Sequence, residues 1–144
     1  MERLDESDWK IIRALKKDSR LSNRELAKIT KISTATINRR TRRLQDNRVI
    51  EGYTILLNNE KIGKEILAYL LIRARPGANY TAMMDEIGKR EEVEDICAVA
   101  GEFDIILKVR VCSIKDLDHF LFEYLNKVPD VMQTQTLMVF RGRG

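Results

Sequence analysis

Apolar positions recur at helical spacing three times within the first fifty residues. Trp9, Ile12 and Leu15, with Ile11, follow Asp5, a residue suited to an N-cap, and predict a helix running to about Lys17. Leu26, Ala27 and Ile29 form the inner face of a second helix. Its start is marked twice, because Ser22 and Glu25 have capping-box spacing and Leu21 and Leu26 are placed as a hydrophobic staple. That helix stops near Lys31. Ser33 caps a third, with Ile32 able to staple onto Ile37, so the intervening turn is three or four residues long, the spacing of a helix-turn-helix. After Leu44 the chain turns through Asp46 and Asn47, the latter tolerant of the left-handed conformation that ends helices. An extended run follows, with Val49, Ile50, Tyr53, Ile55 and Leu57 as its apolar positions.

From Glu65 the order becomes strand, helix, strand, strand, helix, strand. Ile66 to Arg75 is a strand ended by Pro76 and Gly77, and Asn79 to Arg90 is a helix with Met83, Met84 and Ile87 inward. Val93 to Ala100 and Phe103 to Cys112 flank a Gly101-Glu102 turn, and Ile105, Leu107, Val109 and Val111 alternate with Asp104, Lys108 and Arg110. Ser113 and Asp116 open a helix carrying Leu117, Phe120, Leu121, Tyr124 and Leu125, Pro129 ends the connection, and Val131 to Phe140 is the last strand. The expected architecture is α+β: a winged-type helix-turn-helix over residues 1–52, a linker strand or hinge over 53–64 containing Asn58, Asn59 and Gly63, and a ferredoxin-like βαββαβ domain over 65–144. The first strand of that domain is apolar at nearly every position from Ile66 to Ile72, where a half-solvated strand would alternate. The simplest account is that the sheet face without helices packs on a second copy of the chain.

Charge adds a division of labour. The formal net charge is +4, yet residues 1–52 carry 14 Lys/Arg against 8 Asp/Glu and residues 53–144 carry 12 against 14. The excess of positive charge lies wholly in the first third, as expected of a polyanion-binding module joined to a domain with another task. Arg39, Arg40, Arg42 and Arg43 fall within five residues of the third helix, with Arg48 just beyond. On a helical wheel Ile37, Thr41 and Leu44 share one face, while Thr36, Arg39, Arg40 and Arg43 share another that is free to bind. Like charges at this spacing destabilise an isolated helix by a few tenths of a kcal/mol, so an external anion is the natural counter-charge. Arg39, Arg40 and Arg43, with Thr34 and Thr36, are expected at base edges or adjoining phosphates of double-stranded DNA, and Arg20, Arg24, Arg42 and Arg48 on its backbone. Ser33, Ala35 and Asn38 complete the N-terminal tip and flank of the reading helix.

Other chemistries find little support. Cys97 and Cys112 lie in separate apolar runs, Cys97 opposite the region of Ile106, which predicts two buried free thiols rather than a disulfide or a metal site. The single histidine, His119, sits on a helix, and Walker, dinucleotide-binding and nucleophile-elbow motifs are lacking. No enzyme activity, metal or cofactor is expected. No run approaches 18 apolar residues and no leader precedes the first helix, which predicts a cytoplasmic protein with no membrane partner.

The stretch LDESDWKIIRALKKDSRLSNRELAKITKISTATINRRTRRLQDNRVIEGY, the GEFD at Gly101 to Asp104 and the order of the elements resemble the Lrp/AsnC, or feast/famine, transcriptional regulators along the whole chain. The family often has glycine where Lys31 stands, and again at Asn47 or Arg48. The resemblance implies sequence-specific DNA binding, a C-terminal domain that forms homodimers and assembles further toward octamers, and an amino-acid effector held between dimers. Carried over by position, the effector site comprises Gly101, Glu102, Phe103 and Asp104 with Thr134, Gln135 and Thr136. Asp104 would accept from an ammonium group, and Gly101 would let a carboxylate approach backbone amides. Two alternatives remain at this point: an effector-independent architectural DNA-binding protein, and an enzyme of similar architecture resembling haem-precursor decarboxylases.

Overall fold

The computed structural model describes residues 3–141. The chain divides between Leu56 and Leu57 into two compact units. The first is a three-helix unit: α1 (Glu6–Lys17), α2 (Asn23–Thr30) and α3 (Thr34–Asp46). Each helix starts on a side-chain cap. Asp5 and Asp8 form a reciprocal capping box on α1, Ser22 and Glu25 do the same on α2, and the Ser33 hydroxyl accepts from the Thr36 amide. The chain leaves α2 through Lys31 in the left-handed conformation, φ 62°. Residues 31–33 alone connect α2 to α3.

Ile11, Ala14, Leu26, Ile37 and Leu44 form the buried core of this unit. Two predicted faces are rotated from their expected positions. The buried stripe of α1 is Asp8, Ile11 and Ala14, whereas Trp9 is 47% exposed. On α2, Ile29 points outward and Thr30 is buried instead, its hydroxyl donating to the Leu26 carbonyl at 2.7 Å. After α3 the left-handed residue is Arg48, φ 53°, not Asn47, whose φ is −84°. Residues 51–57 run without a regular element.

The second unit has the expected βαββαβ order: β1 (Ile66–Ala74), α4 (Tyr80–Ile87), β2 (Val93–Ala98), β3 (Ile105–Val111), α5 (Ile114–Asp118) and β4 (Val131–Met138). α5 is shorter than the pattern implied, because the helix widens into a π-helical turn over His119–Tyr124 and tightens to a 3₁₀ turn at Leu125–Lys127. The four strands form one antiparallel sheet in the order β2-β3-β1-β4. Ala68, Leu70, Ile72 and Ala74 of β1 and Ile105, Leu107, Val109 and Val111 of β3 pack against Met83, Ile87, Leu117, Phe120 and Leu125.

On the opposite face the register aligns Cys97, Ile106, Leu71 and Gln135 in one row, and Asp95, Lys108, Tyr69 and Leu137 in the next. β1 therefore alternates in burial although it does not alternate in composition. Cys97 does lie opposite Ile106, its thiol 3.8 Å from that carbonyl, but both cysteines are exposed in the single chain, not buried. Among the described residues no helix is long and apolar enough to cross a membrane.

Candidate nucleic-acid interface and ligand turn

The basic helix does not present the face that its wheel suggested. Arg40 is directed at the start of α1, where its Nη1 donates to both carboxylate oxygens of Asp5 (2.8 and 2.7 Å) and to Oδ1 of Asp8 (2.9 Å). Arg43 donates through Nη2 to Oδ2 of Asp8 at 2.7 Å. Asp8 is fully buried, and the side chains of Arg40 and Arg43 keep 19% and 34% of their exposure. The expectation that Arg40 and Arg43 stand on a free face is thus corrected: both are occupied by carboxylates of their own chain. The Asp8 amide and the Arg40 guanidinium hold the Asp5 carboxyl below its usual range, and the Arg40 guanidinium is raised in turn by Asp5 and Asp8.

What remains exposed on α3 is a ridge of Thr34, Ala35, Asn38, Arg39 and Arg42, followed by Gln45 and Asp46 in the last turn. Ser33 at the tip is exposed and Thr36 half-buried. The ridge begins at the helix N-terminus, where amides and side chains point at an approaching anion. Asn38 Oδ1 accepts a 3.4 Å bond from the side-chain Nδ2 of Asn23 on α2, and Arg42 lies 4.0 Å from Asp46. Arg20, Arg24 and Arg48 are exposed as well, Arg20 3.5 Å from Asp18. The role of Asp8 was readable in principle. It is a charged residue at helical spacing from Ile11 within the buried stripe of α1, and such a residue needs a partner of opposite sign.

In the second unit the turn over Gly101–Asp104 is tied to the end of β1. The Asp104 amide donates to the Ile72 carbonyl (2.9 Å), and its carboxylate accepts from the Ala74 amide (2.8 Å) and from the Tyr80 hydroxyl (3.3 Å). Arg73 donates to the Glu102 carbonyl and carboxylate at 3.1 and 2.9 Å and lies 5.4 Å from the centroid of the Phe103 ring. Burial, then the charge of Asp104, holds the Tyr80 phenol above its usual range. Arg73 and Tyr80 are members of this cluster that sequence pattern did not single out.

Thr134 lies at the same level as this turn but across β1, since Ile72 pairs with Thr134 on one side and Ile105 on the other. Two strand spacings, about 9–10 Å, separate them. Thr134 and Thr136 share the helix-side face of β4, Gln135 projects from the open face, and the Thr134 hydroxyl meets Asn126 at 3.3 Å. Within one chain the two halves of the expected effector site therefore flank β1 instead of enclosing a common space. A Cβ added at Gly101 would meet nothing within 4 Å, so no neighbour inside the chain demands glycine there.

Comparison with known proteins supplies the frame for these two sites. Residues 4–51 match the winged helix-turn-helix DNA-binding family, and residues 67–142 match the Lrp/AsnC ligand binding domain. The chain is 33% identical to the HTH-type transcriptional regulator FL11 of Pyrococcus abyssi over 138 residues, covering 96% of this chain and 90% of that protein. It is 35% identical to the leucine-responsive regulatory protein of Klebsiella pneumoniae, covering 94% and 84%. Among solved structures, a Neisseria meningitidis transcriptional regulator in complex with L-Met superposes with a TM-score of 0.91 at 26% identity, covering 96% of this chain and 91% of that one. A helix-turn-helix unit followed by this sheet-and-helix domain, matched over nearly the whole chain, places the protein in the Lrp/AsnC family of DNA-binding transcriptional regulators.

Proposed function

We propose that the chain reads DNA with the exposed ridge of α3, using Ala35, Asn38, Arg39 and Arg42 at base edges or adjoining phosphates. Ser33, Thr34, Thr36, Arg20, Arg24 and Arg48 hold the sugar-phosphate backbone around them. The observation that carries this reading is the withdrawal of Arg40 and Arg43 onto Asp5 and Asp8, which leaves Arg39 and Arg42 as the exposed arginines of the helix. Selection of genomic fragments with purified protein at about 150 mM salt should recover a pseudo-palindrome, since a twofold dimer presents two such helices. Arg39→Ala should relax discrimination at one base position by about 1–3 kcal/mol. If the variant enriches the same fragments as the wild type, the assignment of Arg39 fails.

The open sheet face, with Leu67, Leu71, Tyr69, Ile106 and Leu137, supports a homodimer interface, and further association of dimers would build larger assemblies up to an octamer. Such association also supplies what a single chain lacks, a second surface over Gly101–Asp104. We infer an amino-acid effector at that turn, as the solved relative bound to L-Met encourages. Asp104 would accept from the ammonium group of a zwitterion there, and Arg73 would exchange its Glu102 partner for the ligand carboxylate, with Thr134, Gln135 and Thr136 contributed across a contact between dimers. Titration calorimetry with each of the twenty amino acids tests this, and the absence of both heat and a change in assembly would refute it. The reading assigns the chain no catalytic step, cofactor or membrane partner and places its work at intracellular DNA.

A further inference from the structure

Arg40 makes three short bonds to two carboxylates from a single terminal nitrogen, while its Nε, also buried, has no partner among the described residues. A contact evolved for packing alone would use the fork of the guanidinium, which can pair two nitrogens with one carboxylate. Here instead the Asp5 and Asp8 oxygens cluster around one nitrogen as phosphate oxygens would. Asp5 remains about half exposed, 51%, at the start of α1, and so holds this arginine from the solvent side. We propose that Asp5 and Asp8 stand in for DNA phosphates on Arg40 and thereby set operator selectivity, keeping the charge of this arginine off non-operator DNA.

The physical reason is that non-specific affinity comes almost entirely from phosphates neutralised, whereas selectivity comes from base contacts. An arginine one helical position away from the exposed ridge adds to the first without adding to the second. Occupying it within the chain therefore lowers sequence-blind binding and leaves Asn38, Arg39 and Arg42 to discriminate. The inference rests on α3 being the DNA-facing helix.

The test compares salt dependence of binding to a fragment recovered by selection and to its scrambled version, for wild type and Asp5→Asn. Asparagine caps a helix as well as aspartate does, so the substitution removes the charge and keeps α1. The log–log salt slope on scrambled DNA should steepen by about 0.9, equivalent to about a threefold greater loss of affinity between 50 and 200 mM salt. The selected-to-scrambled affinity ratio should fall by a similar factor at 50 mM. Adding Arg40→Gln should return both to wild-type values, and Glu6→Gln, which removes an α1 charge paired with Lys10 instead, should change neither. Equal effects of Glu6→Gln and Asp5→Asn, or an unchanged slope in folded Asp5→Asn, would overturn the proposal. So would a slope on the selected fragment that drops by about one in Arg40→Gln alone, since Arg40 would then already touch a phosphate. If wild type itself fails to separate the selected from the scrambled fragment, it is the assignment of α3 that fails.

Discussion

Asp8 and Gly101 show what single side chains contribute and what they do not. Asp8 is fully buried and answers two arginines 32 and 35 positions away, so Asp8→Ala removes the counter-charge from both. Arg40 and Arg43 keep some contact with water, which softens the penalty. We expect a loss of about 3 kcal/mol, near the low end for a broken buried pair, read from urea unfolding through Trp9, the one tryptophan. Gly101 is the reverse case. With open space around its Cα, Gly101→Val should change stability by less than about 0.5 kcal/mol. Any loss of amino-acid binding in that variant would then locate the ligand, or the neighbouring dimer, at the turn. Both residues stand out in the sequence as types, a charge within an apolar stripe and a turn glycine. Neither type says what the residue meets.

At the scale of the element, local rules carry most of the information. The capping boxes at Asp5 and Ser22 are reciprocal as their spacing implied, and helix starts follow from them. Lys31 and Arg48 hold left-handed backbone, at a cost that glycine avoids. Lys31→Gly should raise the stability of the three-helix unit by about 0.5–1 kcal/mol, the relieved strain exceeding the added freedom of the unfolded chain. The caps also set a pH response. The Asp8 amide and Arg40 lower the Asp5 pKa from 3.8, and the Ser22 hydroxyl and amide lower that of Glu25 from 4.5. A carboxylate with a depressed folded pKa contributes stability that is fully present above its unfolded pKa and is lost as pH falls through the folded one. The urea midpoint reported by Trp9 should hence be level down to about pH 5 and fall below about pH 4. What element-scale rules misplace is rotation about the helix axis, as Trp9 and Ile29 show by facing outward. Their hydrophobicity fits a buried stripe, but the neighbours that decide which of two adjacent apolar positions is covered lie on other helices.

At the scale of the whole molecule the question is the homodimer proposed above. The open sheet face mixes Leu71, Ile106 and Tyr69 with Lys108 and Arg110, both of which pair with Glu94 within the chain. Leu71→Glu should place an unpaired charge in the interface and convert dimers to monomers in sedimentation velocity at micromolar concentration, with the helical circular-dichroism signal retained. An unchanged mass would show that dimers form elsewhere.

The sequence by itself determined the three helices of the first unit, the order of strands and helices in the second, the division of charge and the family, because periodicity, caps and turn residues act within a few positions of one another. It did not determine the irregular run over residues 51–57 or the π-helical widening after α5. Only the tertiary structure decided which arginines of α3 are available, since Asp5 and Asp8 reach them from the far end of the unit, more than thirty residues away. Likewise the alternating burial of β1, and the separation of Thr134 from Asp104 by a full strand, follow from which strands flank it in the sheet. A wheel or a strand pattern sees one element, whereas exposure and proximity depend on the partner packed against it.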